Sequence, residues 1–499
     1  MPVPSTASPA RPLATTRSGT LRGTTEDGVA VFRAVPYAAP PTGALRFQPP
    51  APPAAWTGER EAGAHGPIAP QPPSRLRMAM GDFSCPQSED CLTLTIWTPA
   101  TDAARRPVLI WFHGGAFMSG AGSLPWYSGA VMARRGDMVV VGVNYRLGAL
   151  GFMHLPGVSP PNLGILDQFA ALEWVHRQIA AFGGDPDNIT VAGQSAGGFS
   201  VLAMLAVPRS RALFRRAIAQ SAPFGRMLRS RSAAADNANK LAELLVITSP
   251  EQWLSVPAAD IVAAQSKLTM ATAQFANAVP PFTPVADHDL FGDELVPAAL
   301  AGAAERDVMV GHTRDEMAAF FSIDERVKAA SPEAIAGRFR DYFGAAANEA
   351  TAEYRSRARG PAPAQLLGEL TGDALFAGGT FAFAERVAAM GKPAHVFRFD
   401  WTAPGNAFGA CHCSEIPFVF NNLGNWQAPM LAGGDASTMP VLAQQMQDAW
   451  IAFAHTGDPA HPGLPAWPRF DAERQTMLFD TPSRVEADPA GRARWRHWP

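Results

Sequence analysis

Gly193-Gln194-Ser195-Ala196-Gly197 directly follows the strand-like run Asn188–Ala192 and precedes a helix expected over Gly198–Ala206. A serine at a tight turn from strand to helix lifts its hydroxyl clear of neighbouring side chains. Glycines on both sides let the strained backbone and adjacent elements approach closely. Beside a base, such a hydroxyl becomes a nucleophile. The bare pattern also occurs in ordinary turns, so its flanks carry the argument. A second small-residue loop, Phe112-His113-Gly114-Gly115-Ala116-Phe117, ends the run Val108–Phe112. Consecutive small residues let backbone N–H groups converge on one point, where, with the N–H after the serine, they can hold an oxyanion. The other readings are a glycine-rich turn or a phosphate cradle. Neither G-x-G-x-x-G nor a Gly-Lys-Ser/Thr ending is present to support the latter. His113 reads as a brace for this loop rather than a base.

These residues need a rigid frame, and the chain supplies its pattern. Short apolar runs at Leu92–Trp97, Val108–Phe112, Met138–Val143, Ile189–Ala192, Ala217–Ala219, Val308–Val310 and Val396–Phe399 read as buried strands. Between them lie stripes at helical spacing, such as Ile165, Phe169, Leu172, Val175, Ile179 and Phe182, or Leu442, Met446, Trp450 and Phe453. Strands alternating with amphipathic helices predict an α/β fold, a mostly parallel sheet covered on both faces. Residues 230–282 read as mainly helical and as a cap inserted into that core. The Pro-rich stretch Pro36–Pro53 carries or adjoins Tyr37, Leu45, Phe47 and Trp56, so it is an arm packed on the core rather than a linker. The first fifteen or so residues are expected to be disordered.

The 499 residues are 47% hydrophobic and 17% charged, a globular composition. A net charge of −3 gives no footprint for nucleic acid or an anionic membrane. No stretch reaches the length of a membrane span, and the start lacks an apolar leader core, so the chain reads as soluble and cytoplasmic. Four cysteines in this length make no disulfide framework. Cys85 and Cys91 could close a short loop, but ordinary thiols are the expectation. Cys411 and Cys413 flank His412 too closely for a usual zinc framework, so no metal is expected.

The chain resembles the type B carboxylesterases, the family of bacterial para-nitrobenzyl esterases and cholinesterases. The resemblance spans nearly the whole sequence. It is carried by Phe32-Arg33-Ala34-Val35-Pro36-Tyr37-Ala38, Ser88-Glu89-Asp90-Cys91-Leu92, the His113 loop, Asn144-Tyr145-Arg146-Leu147-Gly148 and Asn162 to Gln168. Phe182-Gly183-Gly184-Asp185-Pro186, the Ser195 turn, Gln220-Ser221-Ala222 and Phe453 to Pro459 continue it. It implies an α/β-hydrolase fold, a single domain over 16–499 with the cap inserted, and serine-dependent hydrolysis of a small-molecule ester without a cofactor. It leaves the oligomeric state open.

By the same resemblance, Ser195 is the nucleophile. Glu316, in Gly311-His312-Thr313-Arg314-Asp315-Glu316, is the acid, with Asp315 its local rival. His412, in the segment from Gly409 to Phe418, is the base, while His455 and His461 read as surface residues. The N–H groups of Gly115, Ala116 and Ala196 would form the oxyanion hole, and Phe117 and Phe320 would line the substrate pocket. Ser221 is expected near Glu316 or His412. Arg46 is expected to pair with Glu89 and Arg146 with Asp167. Two departures stand out. The family commonly has Glu before the nucleophile, where this chain has Gln194. Cys85 lies six positions before Cys91, so the loop that builds the choline-binding wall of cholinesterases is missing. The Gly114-Gly115-Ala116-Phe117 loop implies room for bulky, even tertiary, alcohols, and choline esters are expected to be poor substrates. An amidase or carbamate hydrolase on the same residues, or a silent binding member of the fold, are the competing readings.

Overall fold

The computed structural model describes residues 11–499 except 225, 288–289, 292–293, 358–361, 497 and 499, and the side chains of 492 and 493. Near the N-terminus lie β1 (Leu13–Thr16), β2 (Gly19–Arg22), β3 (Thr24–Glu26), β4 (Val29–Pro36) and β5 (Glu59–Glu61). The apolar runs then give β6 (Thr93–Thr98), β7 (Arg106–Phe112), β8 (Val139–Val143), β9 (Gly184–Gln194), β10 (Arg216–Gln220), β11 (Asp307–Thr313) and β12 (His395–Phe399). Two more, β13 (Gln475–Phe479) and β14 (Arg484–Ala487), follow near the C-terminus.

Eleven strands form one sheet in the order β14-β13-β12-β11-β10-β9-β7-β8-β6-β4-β3. From β8 through β13 every pairing is parallel, and the flanking pairs are antiparallel. Every residue of β7, β8 and β10 is buried, as expected of strands covered on both faces. The helices Leu163–Gln178 and Met439–Thr456 follow the two apolar stripes read from the sequence. No helix among the described residues is long and apolar enough to cross a membrane.

The register places the chemistry. Phe112 pairs with both Val143 and Gly193, Gln194 with Gln220, and Gln220 with Gly311. The loop after β7, the turn after β9, Ser221 after β10 and the segment after β11 therefore emerge side by side. They share the C-terminal edge of the parallel strands, where open α/β sheets bind ligands.

Two braces lock this edge. Arg146 donates from Nε and Nη2 to both carboxylate oxygens of fully buried Asp167, at 2.8 and 2.7 Å. Removing one partner of such a pair strands a buried charge, at a cost of about 3–5 kcal/mol. Arg46 pairs with Glu89 and also donates to the carbonyls of Trp253 and Val256, which ties the arm to residues 230–282. That region carries the helices Arg231–Leu245, Gln252–Ser255 and Ala258–Ala271, the first capped by Ser230 Oγ accepting from Ala233 N.

One expectation needs correction. Residues 13–15 are not disordered: Leu13–Thr16 pairs antiparallel with Gly19–Arg22, and alternate side chains, Ala14 and Thr16, are buried. The expected disorder over 1–10 falls outside the described residues. A second helical region, unforeseen, lies between β11 and β12. It holds Pro332–Phe343, Ala347–Arg357 and Pro363–Gly372 around a separate apolar cluster that includes Phe339, Phe343, Tyr354 and Leu367, while Gly378–Ala389 packs Phe381 and Phe383 into the main core. The helix Pro332–Phe343 starts on Ser331, which accepts from Ala334 N, followed by Pro332, a start signal present in the sequence.

Candidate active site

β9 ends at Gln194, and the helix Ala196–Ala206 begins one residue later. Ser195 alone makes the turn, with φ 59° and ψ −120°. Such backbone costs a non-glycine residue on the order of 1–3 kcal/mol and persists only when neighbours enforce it. Here Ser195 N–H donates to the Gln220 carbonyl at 2.9 Å, and the Ser195 carbonyl accepts from Phe199 N at 2.9 Å. A Cβ at Gly197 would collide with the carbonyl oxygen of Phe112, so only glycine lets the helix sit this close to β7. The side chain that results is 8% exposed, at the floor of a cleft.

The loop after β7 turns through three successive left-handed residues, Gly115, Ala116 and Phe117, with φ 109°, 56° and 60°. A Cβ at Gly115 would strike the Ser119 carbonyl. Neither the Gly115 nor the Ala116 backbone N–H is taken up by a hydrogen bond among the described residues. Ala196 opens a helix, so its N–H has no intrahelical acceptor. His113 braces the loop as read from the sequence: Nδ1 lies 2.7 Å from the Gly114 carbonyl and the ring stacks on Tyr145 at 4.4 Å. Full burial pushes its pKa down to about 4.

Phe117 is corrected. The backbone turn swings its ring into the core, fully buried against Phe152 and Phe199 at 4.6 and 5.6 Å, and it does not line the cleft. Phe320 does line the cleft, with its ring 5.8 Å from that of His412.

Glu316 and His412 stand 96 positions apart in sequence and meet with Nδ1 of His412 hydrogen-bonded to Glu316 Oε2. The backbone sets this up. A parallel bridge joins Asp315 to Cys411, Asp315 N donates to the Ala410 carbonyl at 2.9 Å, and His412 N donates to the Glu316 carbonyl at 3.3 Å. Glu316 Oε1 accepts from Ser221 Oγ at 2.7 Å and from Thr313 N at 2.9 Å. Burial alone would raise the Glu316 pKa, but the charge and hydrogen bond of His412, with His312 and Ser221, outweigh it and hold Glu316 below the usual carboxylate range. Asp315 is turned to other work: it accepts from Ala410 N at 3.0 Å and pairs with Arg314. His455 and His461 each meet a backbone carbonyl, of Gly136 and Gln445, away from this cluster.

Three features escape the sequence. Gln194 Nε2 lies 3.3 Å from His412 Nε2, and its Oε1 accepts from Cys413 Sγ at 3.4 Å. Phe376, on a π-type turn at Asp373–Ala377, lays its ring 4.7 Å from that of His412. Glu415 is fully buried and accepts from Gln220 Nε2 at 3.1 Å, while its Oε2 has no hydrogen-bond partner among the described residues. Burial first, and the neighbouring Glu316 second, push the Glu415 pKa up to about 7.

Residues 10–493 match the sequence profile of the carboxylesterase family. The chain belongs to that family. It is a carboxylic ester hydrolase of the α/β-hydrolase fold. Similar proteins include phenmedipham hydrolase of Pseudarthrobacter oxydans, 38% identical over 94% of both chains. Para-nitrobenzyl esterase of Bacillus subtilis (strain 168) is 36% identical over 98% of both. The carboxylesterase EST55 of Geobacillus stearothermophilus superposes with a TM-score of 0.87 at 38% identity, covering 98% of this chain and all of that one.

Within this member of the family, all four cysteines are free thiols, so Cys85 and Cys91 close no loop. Burial raises the Cys411 and Cys413 thiols well above the ordinary range, which keeps them protonated. Among the described residues no group of three or more His, Cys, Asp or Glu is arranged to hold a metal ion. The cleft at Ser195 is narrow, about 50 Å³, and is walled by Ala116, Phe83, Trp126, Tyr127 and Phe320. A wider cavity of about 820 Å³ lies by Asp315, Glu316 and Arg398 and is not lined by Ser195.

Proposed function

We propose that the chain cleaves small-molecule carboxylic esters through an acyl-enzyme on Ser195, with His412 as general base and acid, Glu316 as its partner, and no cofactor. The observation that carries this reading is the buried Glu316–His412 hydrogen bond, which fixes the proton on Nδ1 and leaves Nε2 as an acceptor in the same cleft as Ser195. Among the described residues no hydrogen bond joins Ser195 Oγ to Nε2, where the Gln194 amide stands instead. Ser195 takes over Nε2 when substrate fills the cleft, since such contacts tighten in the Michaelis complex.

His412 accepts the Ser195 proton as Oγ attacks the carbonyl carbon. The free N–H groups of Gly115 and Ala116, with that of Ala196, receive the oxyanion. His412 then returns the proton to the leaving alcohol, and water attacks the acyl-enzyme by the same route. Ser221 and Thr313 keep Glu316 ionised and oriented throughout.

Similarity to a probable N-octanoylanthranilate hydrolase of Rhodococcus erythropolis, 38% identical over 91% of this chain, supports cleavage of an N-acyl bond as a second activity of the same residues. The experiment compares initial rates on para-nitrophenyl acetate, para-nitroacetanilide, tert-butyl acetate and acetylcholine, with methanol added as a competing acceptor. Expected are fast aryl ester turnover, detectable tert-butyl ester turnover and poor acetylcholine turnover. Methyl acetate and acetate should form in one ratio whatever the leaving group, as a shared acyl-enzyme demands. A ratio that changes with the leaving group would refute the shared intermediate, and a preference for anilide would promote the second activity above the first.

A further inference from the structure

The cleft that holds Ser195 and His412 is walled mostly by apolar side chains, among them Leu76, Met80, Phe83 and Trp126. Arg75 stands among them as the one permanent charge lining the cleft among the described residues. Its guanidinium carbon lies 5.8 Å from the Phe320 ring centroid, and that ring is itself 5.8 Å from the His412 ring. One aromatic ring thus separates a cation from the reacting centre.

Arg75 is unlike the other arginines near this edge of the sheet. Arg46, Arg146, Arg398 and Arg494 each pair with a carboxylate. No described carboxylate forms an ion pair with Arg75. Nη2 donates to the Ala278 carbonyl at 2.8 Å, and the remaining N–H groups make no hydrogen bond to described residues. A tether to Ala278 uses one of five donors in a planar fork whose shape matches a carboxylate. Burial, with no carboxylate paired to it among the described residues, pushes the guanidinium pKa down to about 10, so the group stays cationic at neutral pH. A partly buried cation without a described counter-charge is costly, and an anionic ligand offsets that cost.

We infer that Arg75 is a specificity-determining residue that selects substrates with an apolar body and a carboxylate placed to meet its guanidinium across Phe320. The inference rests on the Ser195 reading above. The carboxylate belongs either to the acyl part or to the leaving group, and Phe320 supplies the apolar surface between the two ends.

The test uses two matched pairs on the full chain. On the acyl side they are para-nitrophenyl hydrogen adipate and para-nitrophenyl hexanoate, and on the leaving side 3-carboxyphenyl butyrate and phenyl butyrate. The quantity read is the ratio of kcat/KM for the anionic member to that for the neutral one. In Arg75→Met that ratio should fall about tenfold or more in one pair, as loss of a charge-assisted contact in a cleft predicts. Arg75→Lys, which keeps the charge without the fork, should recover part of it. On the wild-type protein, added salt should lower kcat/KM for the favoured anionic ester and leave its neutral partner unmoved, a readout that needs no variant. Ratios unchanged in both pairs, with no salt effect, overturn the role of Arg75. Neutral ester turnover that survives Ser195→Ala counts against the Ser195 reading instead, so the two failures are distinguishable.

Discussion

The side-chain amide of Gln194 meets Nε2 of His412 at 3.3 Å, while the other ring nitrogen, Nδ1, meets Glu316. Because Nδ1 faces the carboxylate, Nε2 is the acceptor and the amide is the donor. Glutamate, common at this position in the family, cannot donate when ionised. Gln194→Glu should therefore free Nε2 and place an anion beside the ring. An anion favours the imidazolium, so the acidic limb of kcat/KM should move to higher pH. A pH–rate profile of the two proteins on para-nitrophenyl acetate checks the sign. A limb that stays put or moves to lower pH would show that residue 194 does not act through His412.

The two neighbouring carboxylates should separate cleanly. Glu316→Gln disturbs the tautomer and orientation of His412, and kcat should drop by about ten-thousandfold, the scale seen when a triad acid becomes an amide. Asp315→Asn keeps an oxygen for the Ala410 N–H and loses mainly the ion pair with half-exposed Arg314, so its kcat should fall by no more than about tenfold. Steady-state kinetics on both variants, with circular dichroism to confirm folding, decides. Equal losses would mean that the acid is misassigned.

Glu415 couples proton binding to stability. Its folded pKa of about 7 stands above the ordinary 4.5, so the folded protein holds this proton more tightly than the unfolded chain does. Stability from this group is full below about pH 4.5 and is lost as pH rises toward 7, an effect on the order of 3 kcal/mol. Glu415→Gln keeps an acceptor for Gln220 and removes the titration. Its melting temperature relative to wild type should rise with pH across that window and level off above it. A difference independent of pH would show that Glu415 does not change protonation there.

The frame of this active site is legible because its signals are local. The Ser195 turn announces itself through Gly193 and Gly197, and the strands through unbroken apolar runs between helical stripes. The acid and base are different. Nothing in residues 315–316 or 411–412 reveals the bridge that joins them, and only the family resemblance points to Glu316 and His412. At Phe117 a left-handed φ, invisible in an aromatic residue's identity, sends the ring inward. Glu415 and Phe376 matter through burial against elements far off in sequence, one of them in the helical region between β11 and β12 that the pattern did not suggest. β1 is hidden because four residues beside Pro12 make too short a signal.

Whether Ser195 is the nucleophile is decided by brief reaction with a fluorophosphonate followed by intact-mass and peptide mass spectrometry. One adduct per chain, located on Ser195 and formed in step with loss of esterase activity, is expected. Folded Ser195→Ala should take no adduct and retain about a millionth of the wild-type kcat. An adduct on another residue, or a folded Ser195→Ala protein that keeps wild-type turnover, would contradict the Ser195 assignment.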